Sequence, residues 1–232
     1  MAKVAILDPE LTLSQPARVT ACTGIDAVAH AVESAVTRKR NETSQQYSRV
    51  AFSLLSQSLP TVLTKPNDVE ARGLMLLGAA FAGTAIEHSM LGAAHSAANP
   101  LTAHFDVIHG QAVGLMLPHV VRFNGEDEVI ARAYAELVTG TAAASINGVP
   151  AHESLASLLE DFMDAAGMPR DLTDCGVDAT KTDLLSEEAA SQWTASFNPR
   201  DITASDFKDL YSRAFGSQLT CDRFNLMTTD FS

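Results

Sequence analysis

Residues 20–34 read TACTGIDAVAHAVES. They belong to a helical pattern that starts near Ala17, and they place one helix at roughly Thr23 to Val36, ending in the charged patch Arg38-Lys39-Arg40-Asn41. On that helix Asp26 and His30 lie four residues apart, so they stack on one face, one turn apart. A carboxylate and an imidazole at this spacing grip a cation with little extra ordering cost. Taken alone, the pair is weak evidence and fits a hydrogen-bonded or solvated Asp–His better than a pair of ligands. His95 in GAAHSAAN and His109 in IHGQ come much later, so an ion held by all four would tie distant segments together. One carboxylate and three imidazoles without a thiolate point away from a structural cysteine zinc site and towards Fe(II) or Zn(II). Singly, His95 also reads as a satisfied core histidine and His109 as a residue ahead of a helix start.

The chain has 232 residues, enough for one large domain or two small ones with a real hydrophobic core. Alanine, leucine and other helix formers abound, while aromatic residues make up only 6%. A net charge of −12 repels phosphate backbones, which argues against nucleic acid as a partner and for a well-solvated surface. Cys22, Cys175 and Cys221 form no CxxC pair, and three free thiols in a reducing cytoplasm are the simplest reading. No basic, apolar, small-residue leader opens the chain. The longest weakly polar stretch, Gly73 to Ala85, is short of a membrane span. A soluble cytoplasmic protein with no membrane partner is expected.

Lys3–Leu7 (KVAIL) is the one β-type run, and it ends at Asp8-Pro9. A helix is expected from a Thr43 cap to Leu59, with Pro60 opening a turn. Asp68 caps the next, from Val69 to about Glu87. Pro100 and His109-Gly110 break the segment Leu91–His119, which puts its histidines at a helix end and in a loop. Asp127–Leu137 and Glu153–Ala166 are amphipathic helices, the second stopped by Gly167 with Pro169 beyond. Lys181–Ser191 is a further helix, and Thr203 or Ser205 caps a last one through Phe215. With no repeat and no low-complexity linker, the fold class is all-α: one multi-helix domain over residues 1–215, one short N-terminal strand, and a loosely attached tail at 216–232.

Three segments together are specific: TACTGIDAVAHAVES, LGAAHSAANPLTAHFDVIHGQAVGLMLPHVVRFN (residues 91–124) and FNPRDIT (residues 197–203). They resemble the iron-containing (group III) alcohol dehydrogenase family, in particular its C-terminal, all-helical, metal-binding domain, over about Lys3 to Phe215. The family's metal ligands map onto Asp26, His30, His95 and His109, each matching in type. The resemblance implies a divalent metal, Fe(II) or alternatively Zn(II), in a cleft beside the nicotinamide of NAD or NADP. It further implies a small alcohol or carbonyl substrate; the expected protein partner is a second copy in a homodimer or a separate chain that supplies the nucleotide-binding domain. A metal-free relative of the family is disfavoured because all four ligands are present.

Two departures from the family pattern matter. Many members carry a histidine four residues after the third ligand, near the nicotinamide, where this chain has Asn99. Asparagine there can hydrogen-bond a substrate or ribose hydroxyl as part of the catalytic machinery, but it is no acid or base near neutrality. Proton transfer would then use a water chain, His104 or His88; Asn99 reads equally as a helix-end cap beside Pro100. The second departure is the glycine-rich phosphate loop, which this chain does not contain. Gly78-Ala-Ala-Phe-Ala-Gly83-Thr84 has similar glycine spacing but lacks the lysine and lies in a helical run, so it reads as packing, as do Gly110 and Gly114. The leading expectation is therefore the metal-binding half of an NAD(P)-dependent alcohol dehydrogenase. The alternative is a truncated or split gene product that binds a divalent metal without catalysis of its own.

Among the remaining polar residues, Glu33 and Asp106 are candidates to orient ligand imidazoles, with solvated roles equally open. His119 is expected in the core and His152 in a solvent-facing loop, while Cys22 reads as small buried filler.

Overall fold

The computed structural model describes residues 4–142, 144 and 148–216. Among them are nine α-helices: α1 (Ala17–Ser34), α2 (Glu42–Thr64), α3 (Val69–Glu87), α4 (Ala93–Phe105), α5 (His109–Gly125), α6 (Glu128–Leu137), α7 (Ala151–Ala165), α8 (Thr182–Ser191) and α9 (Ala204–Ala214). Short 3-10 turns occupy Pro9–Thr12, Ala179–Lys181 and Trp193–Phe197.

The helices start where local chemistry satisfies their free N–H groups. Asp68, Asp127 and Thr203 cap α3, α6 and α9 with side-chain oxygens, as their positions predict. The α2 cap is Asn41 rather than Thr43. The Asn41 side chain accepts from the Ser44 amide and Ser44 Oγ accepts from the Asn41 amide, so two free donors are served reciprocally. Gly167 stops α7 with a φ of 63°, a conformation costly for residues with a Cβ.

Three expectations need correction. Val4–Leu7 forms no strand, and Val4 and Ile6 lie 80% and 89% exposed. A strand needs a hydrogen-bonded neighbour, and among the described residues there is none. Pro60 does not end α2, because Leu59 and Val62 on either side of it are buried while the proline itself faces solvent, where water can serve the carbonyl it leaves free. Pro100 likewise lies inside α4, carried through by the burial of Ala97, Ala98 and Leu101. The expected tail lies outside the described residues beyond Gly216.

α1 and α5 form the centre. Thirteen of the seventeen residues of α5 are buried, so this helix is covered on nearly every side. It runs against α1, α4, α7 and α9, while α2 and α3 flank α1 on its other side. Glycines set the spacing between α1 and α5. A Cβ on Gly110 would come within 2.1 Å of the Cys22 carbonyl oxygen, and one on Gly114 within 2.7 Å of Ile25. Gly78 packs α3 onto α2 in the same way, with Leu55 2.7 Å from where a Cβ would stand. α3 is longer than its weakly polar run suggests: at 19 residues and mean hydropathy 1.3 it is long and apolar enough to cross a membrane. In this fold it packs on α1 and α2, and its buried Arg72 is spent on the carbonyls of Thr12 and Pro66.

Candidate metal centre

Asp26 and His30 project from the middle of α1, one turn apart, with His30 Nε2 3.4 Å from Asp26 Oδ2. His95 is the third residue of α4 and His109 the first of α5. The reversal between those helices takes only Asp106, Val107 and Ile108. Asp106 adopts a left-handed φ of 53°, which aspartate tolerates better than most residues. Gly110 then seats the first turn of α5 directly on the α1 backbone at Cys22, one turn before Asp26. His95 Nε2 comes to 3.3 Å from Asp26 Oδ1, and His109 Nε2 to 3.8 Å. The His95 ring stacks on His30 at 5.0 Å and tilts against His109 at 5.4 Å.

All four residues expected to act together are therefore adjacent. The tightest set is Asp26, His95 and His109, whose donor atoms lie within 4.8 Å of one another, and His30 adjoins through the second carboxylate oxygen. Asp26 Oδ1 and His95 Nε2 are both buried and neither has a hydrogen-bond partner. Leaving such atoms unsatisfied costs about 1–3 kcal/mol each. A divalent cation would coordinate both at once, so these residues fit a metal, and the N and O donors suit iron or zinc.

Electrostatics within the cluster are strongly coupled. Burial works against ionisation of Asp26, yet the imidazoles of His95, His30 and His109 outweigh it and hold its carboxyl below the usual range. Burial pushes His30 and His109 down against the pull of Asp26. Burial also pulls on His95, but the Glu33 and Asp26 carboxylates overcome it and push that imidazole up to about 9. A cation entering here displaces a proton.

Glu33, two turns along α1 from Asp26, is only 3% exposed. Its Oε2 lies 2.5 Å from His95 Nδ1, and its Oε1 accepts the Ala94 amide at 2.7 Å. With the Nδ1 proton held there, Nε2 is the nitrogen left to give up its proton to a cation beside Asp26. Asp106, the other carboxylate considered for this task, is instead the exposed cap of α4.

Asn99 stands one turn beyond His95, inside α4 and not at its end, so the cap reading fails. Its Nδ2 donates to Gln192 Oε1 at 3.1 Å. Gln192 carried no sequence signal, since nothing in local spacing ties it to residue 99. The other relay candidates make contacts elsewhere: His104 pairs with Glu188 at 2.8 Å, and His88 stacks on Tyr47. His119 is half-buried, and desolvation lowers it to about 4. His152 is not solvent-facing but packs on Gly125, so closely that a Cβ there would fall 2.3 Å from its ring. Cys22 is buried as expected. A separate cleft of about 550 Å³ involves Arg18, Phe105, Gln111 and Cys175, and none of the four clustered residues lines it.

The model of the Fe-containing alcohol dehydrogenase family, C-terminal part, matches residues 20–215. The chain belongs to that family. It is 31% identical over 220 residues to long-chain-alcohol dehydrogenase 1 of Geobacillus thermodenitrificans, covering 94% of this chain and 56% of that relative. It is 30% identical over 217 residues to 1,3-propanediol dehydrogenase of Klebsiella pneumoniae, covering 91% and 55%. The crystal structure of a 1,3-propanediol oxidoreductase superposes with a TM-score of 0.81 at 28% identity, over 90% of this chain and 55% of that one. The alcohol dehydrogenase of Oenococcus oeni gives 0.82 at 28% identity, over 89% and 54%. The chain thus spans about half the length of these relatives, and the all-helical fold is that of their C-terminal part.

Proposed function

We propose that this chain is the metal-binding half of an NAD(P)-dependent alcohol dehydrogenase that interconverts alcohols with aldehydes or ketones. The observation that carries the reading is the facing pair of buried, unpartnered atoms, Asp26 Oδ1 and His95 Nε2, with His30 and His109 beside them. Those four residues would hold the cation, Fe(II) or alternatively Zn(II). Bound there, a divalent cation supplies Lewis acidity towards the oxygen of an alcohol or carbonyl, and the nicotinamide of NAD or NADP supplies the hydride chemistry.

The chain's own residues do the rest. Glu33 holds the Nδ1 proton of His95 and so keeps Nε2 a ligand. Gly110 lets α5 approach α1 closely enough to bring His109 to Asp26. Asn99, steadied by Gln192, can hydrogen-bond a hydroxyl but moves no proton near neutrality.

A second reading is a chain that binds metal without catalysis of its own. The chain matches 56% of a relative's length, so activity by this chain alone is a separate question that nucleotide titration answers. Metal analysis of anaerobically purified protein tests the site: one equivalent per chain is expected, lost in His95→Ala and His109→Ala. Full occupancy in both variants would sink the ligand assignment. Titration with NADH and NADPH separates the two readings, because clear binding by this chain alone excludes the inert one. A partner chain that co-purifies and restores nucleotide binding supports a split enzyme.

A further inference from the structure

Behind Glu33 the core holds polar groups that packing alone does not require. Asn124 on α5 and Asn198 in FNPRDIT are 2% and 1% exposed and pair amide to amide, with reciprocal bonds of 3.0 and 2.9 Å. Asn198 Nδ2 also donates to the Arg200 carbonyl. The pair sits against Gly92, the residue that opens α4. A Cβ on Gly92 would meet Glu33 Oε1 at 3.2 Å and Asn198 Oδ1 at 3.4 Å. Two residues further on, the Ala94 amide donates to that same Glu33 oxygen, and His95 follows. Asn198, Gly92, Glu33 and His95 are therefore in contiguous contact.

A buried amide pair gains little over an apolar pair of the same shape and is costly if one partner is lost. Its return here is geometric: fully satisfied, it permits one arrangement of the wall behind Glu33. We propose that Asn198 and Asn124 are positioning residues for the metal centre, acting through Gly92 and Glu33 to fix the orientation of the His95 imidazole. The proposal rests on the metal-binding reading above. It also gives FNPRDIT a task at the site although no residue of that segment belongs to the Asp26 cluster.

Cobalt(II) bound to the full chain, followed by visible absorption and competitive titration, tests the proposal, with the downfield proton NMR signal of His95 Nδ1–H read alongside. Asn198→Ser and Asn124→Ser are each expected to lower cobalt affinity about tenfold, shift the cobalt bands and move the Nδ1–H signal, in the same direction as Glu33→Gln. A purely structural role would lower the melting temperature of the folded variants while leaving affinity, bands and proton signal unchanged, and that result overturns the proposal. Asn124→Ser acts from the far side of the pair and carries the test if Asn198→Ser does not fold. If neither folds, the pair is a folding element and the positioning role falls. Wild-type protein that binds no cobalt fails at an earlier step, taking the metal reading down with the proposal.

Discussion

His119 gives the clearest single-residue consequence of burial. Desolvation, with Arg122 and Arg213 adding to it, lowers its imidazole to about 4, whereas an unfolded histidine titrates near 6.5. Between those values the unfolded chain binds the extra proton, so His119 removes stability as pH falls from about 6.5 to about 4 and contributes nothing to the slope above that window. At about 1.4 kcal/mol per pH unit the effect is at most about 3.5 kcal/mol. His119→Gln should flatten that part of the stability–pH curve, measured by denaturant unfolding as the difference between variant and wild type. Parallel curves across the window would refute the assignment. At this scale Glu33 and Asp106 are instructive: both are acidic residues near the candidate ligands in sequence, and only the path of the backbone decides which one meets a histidine.

At the scale of the element, the same substitution should act with opposite sign at two helical glycines. Gly110→Ala places a methyl 2.1 Å from the Cys22 carbonyl oxygen, which is backbone and cannot yield without shifting α5 from α1. A loss of about 1–3 kcal/mol is expected, with metal affinity falling at least tenfold as His109 moves away from Asp26. Gly83→Ala on α3 meets nothing within 4 Å and should stabilise by about 0.5–1 kcal/mol through helix propensity. Thermal melts of both variants, with cobalt titration of the first, check the pair. Element boundaries were legible where caps or stops act locally, at Asp68, Asp127, Thr203 and Gly167. They were misread at Pro60 and Pro100, where burial on either side of the proline outweighs its local cost.

Across the whole molecule the candidate site joins three helices, with Asp26 and His30 on α1, His95 on α4 and His109 on α5. A cation bound to this arrangement binds the folded state and far less the unfolded one, so it should raise the melting temperature in a concentration-dependent way. At a free metal level of 100 times Kd the gain is about 2.7 kcal/mol. EDTA should reverse it, and His95→Ala should abolish it. A melting temperature indifferent to zinc, iron and cobalt in the wild type would count against a site built from these helices.

The amino-acid sequence by itself determined the helical class, the i, i+4 pairing of Asp26 with His30, and the donor types available to a metal. Each follows from local periodicity or side-chain chemistry and needs no knowledge of distant segments. Tertiary structure alone decided that Glu33 reaches His95, that Gln192 holds Asn99, and that Asn124 and Asn198 close on each other across 74 residues. Hydrogen bonds of that kind are set by where packed helices bring the backbone, and sequence spacing carries no record of it.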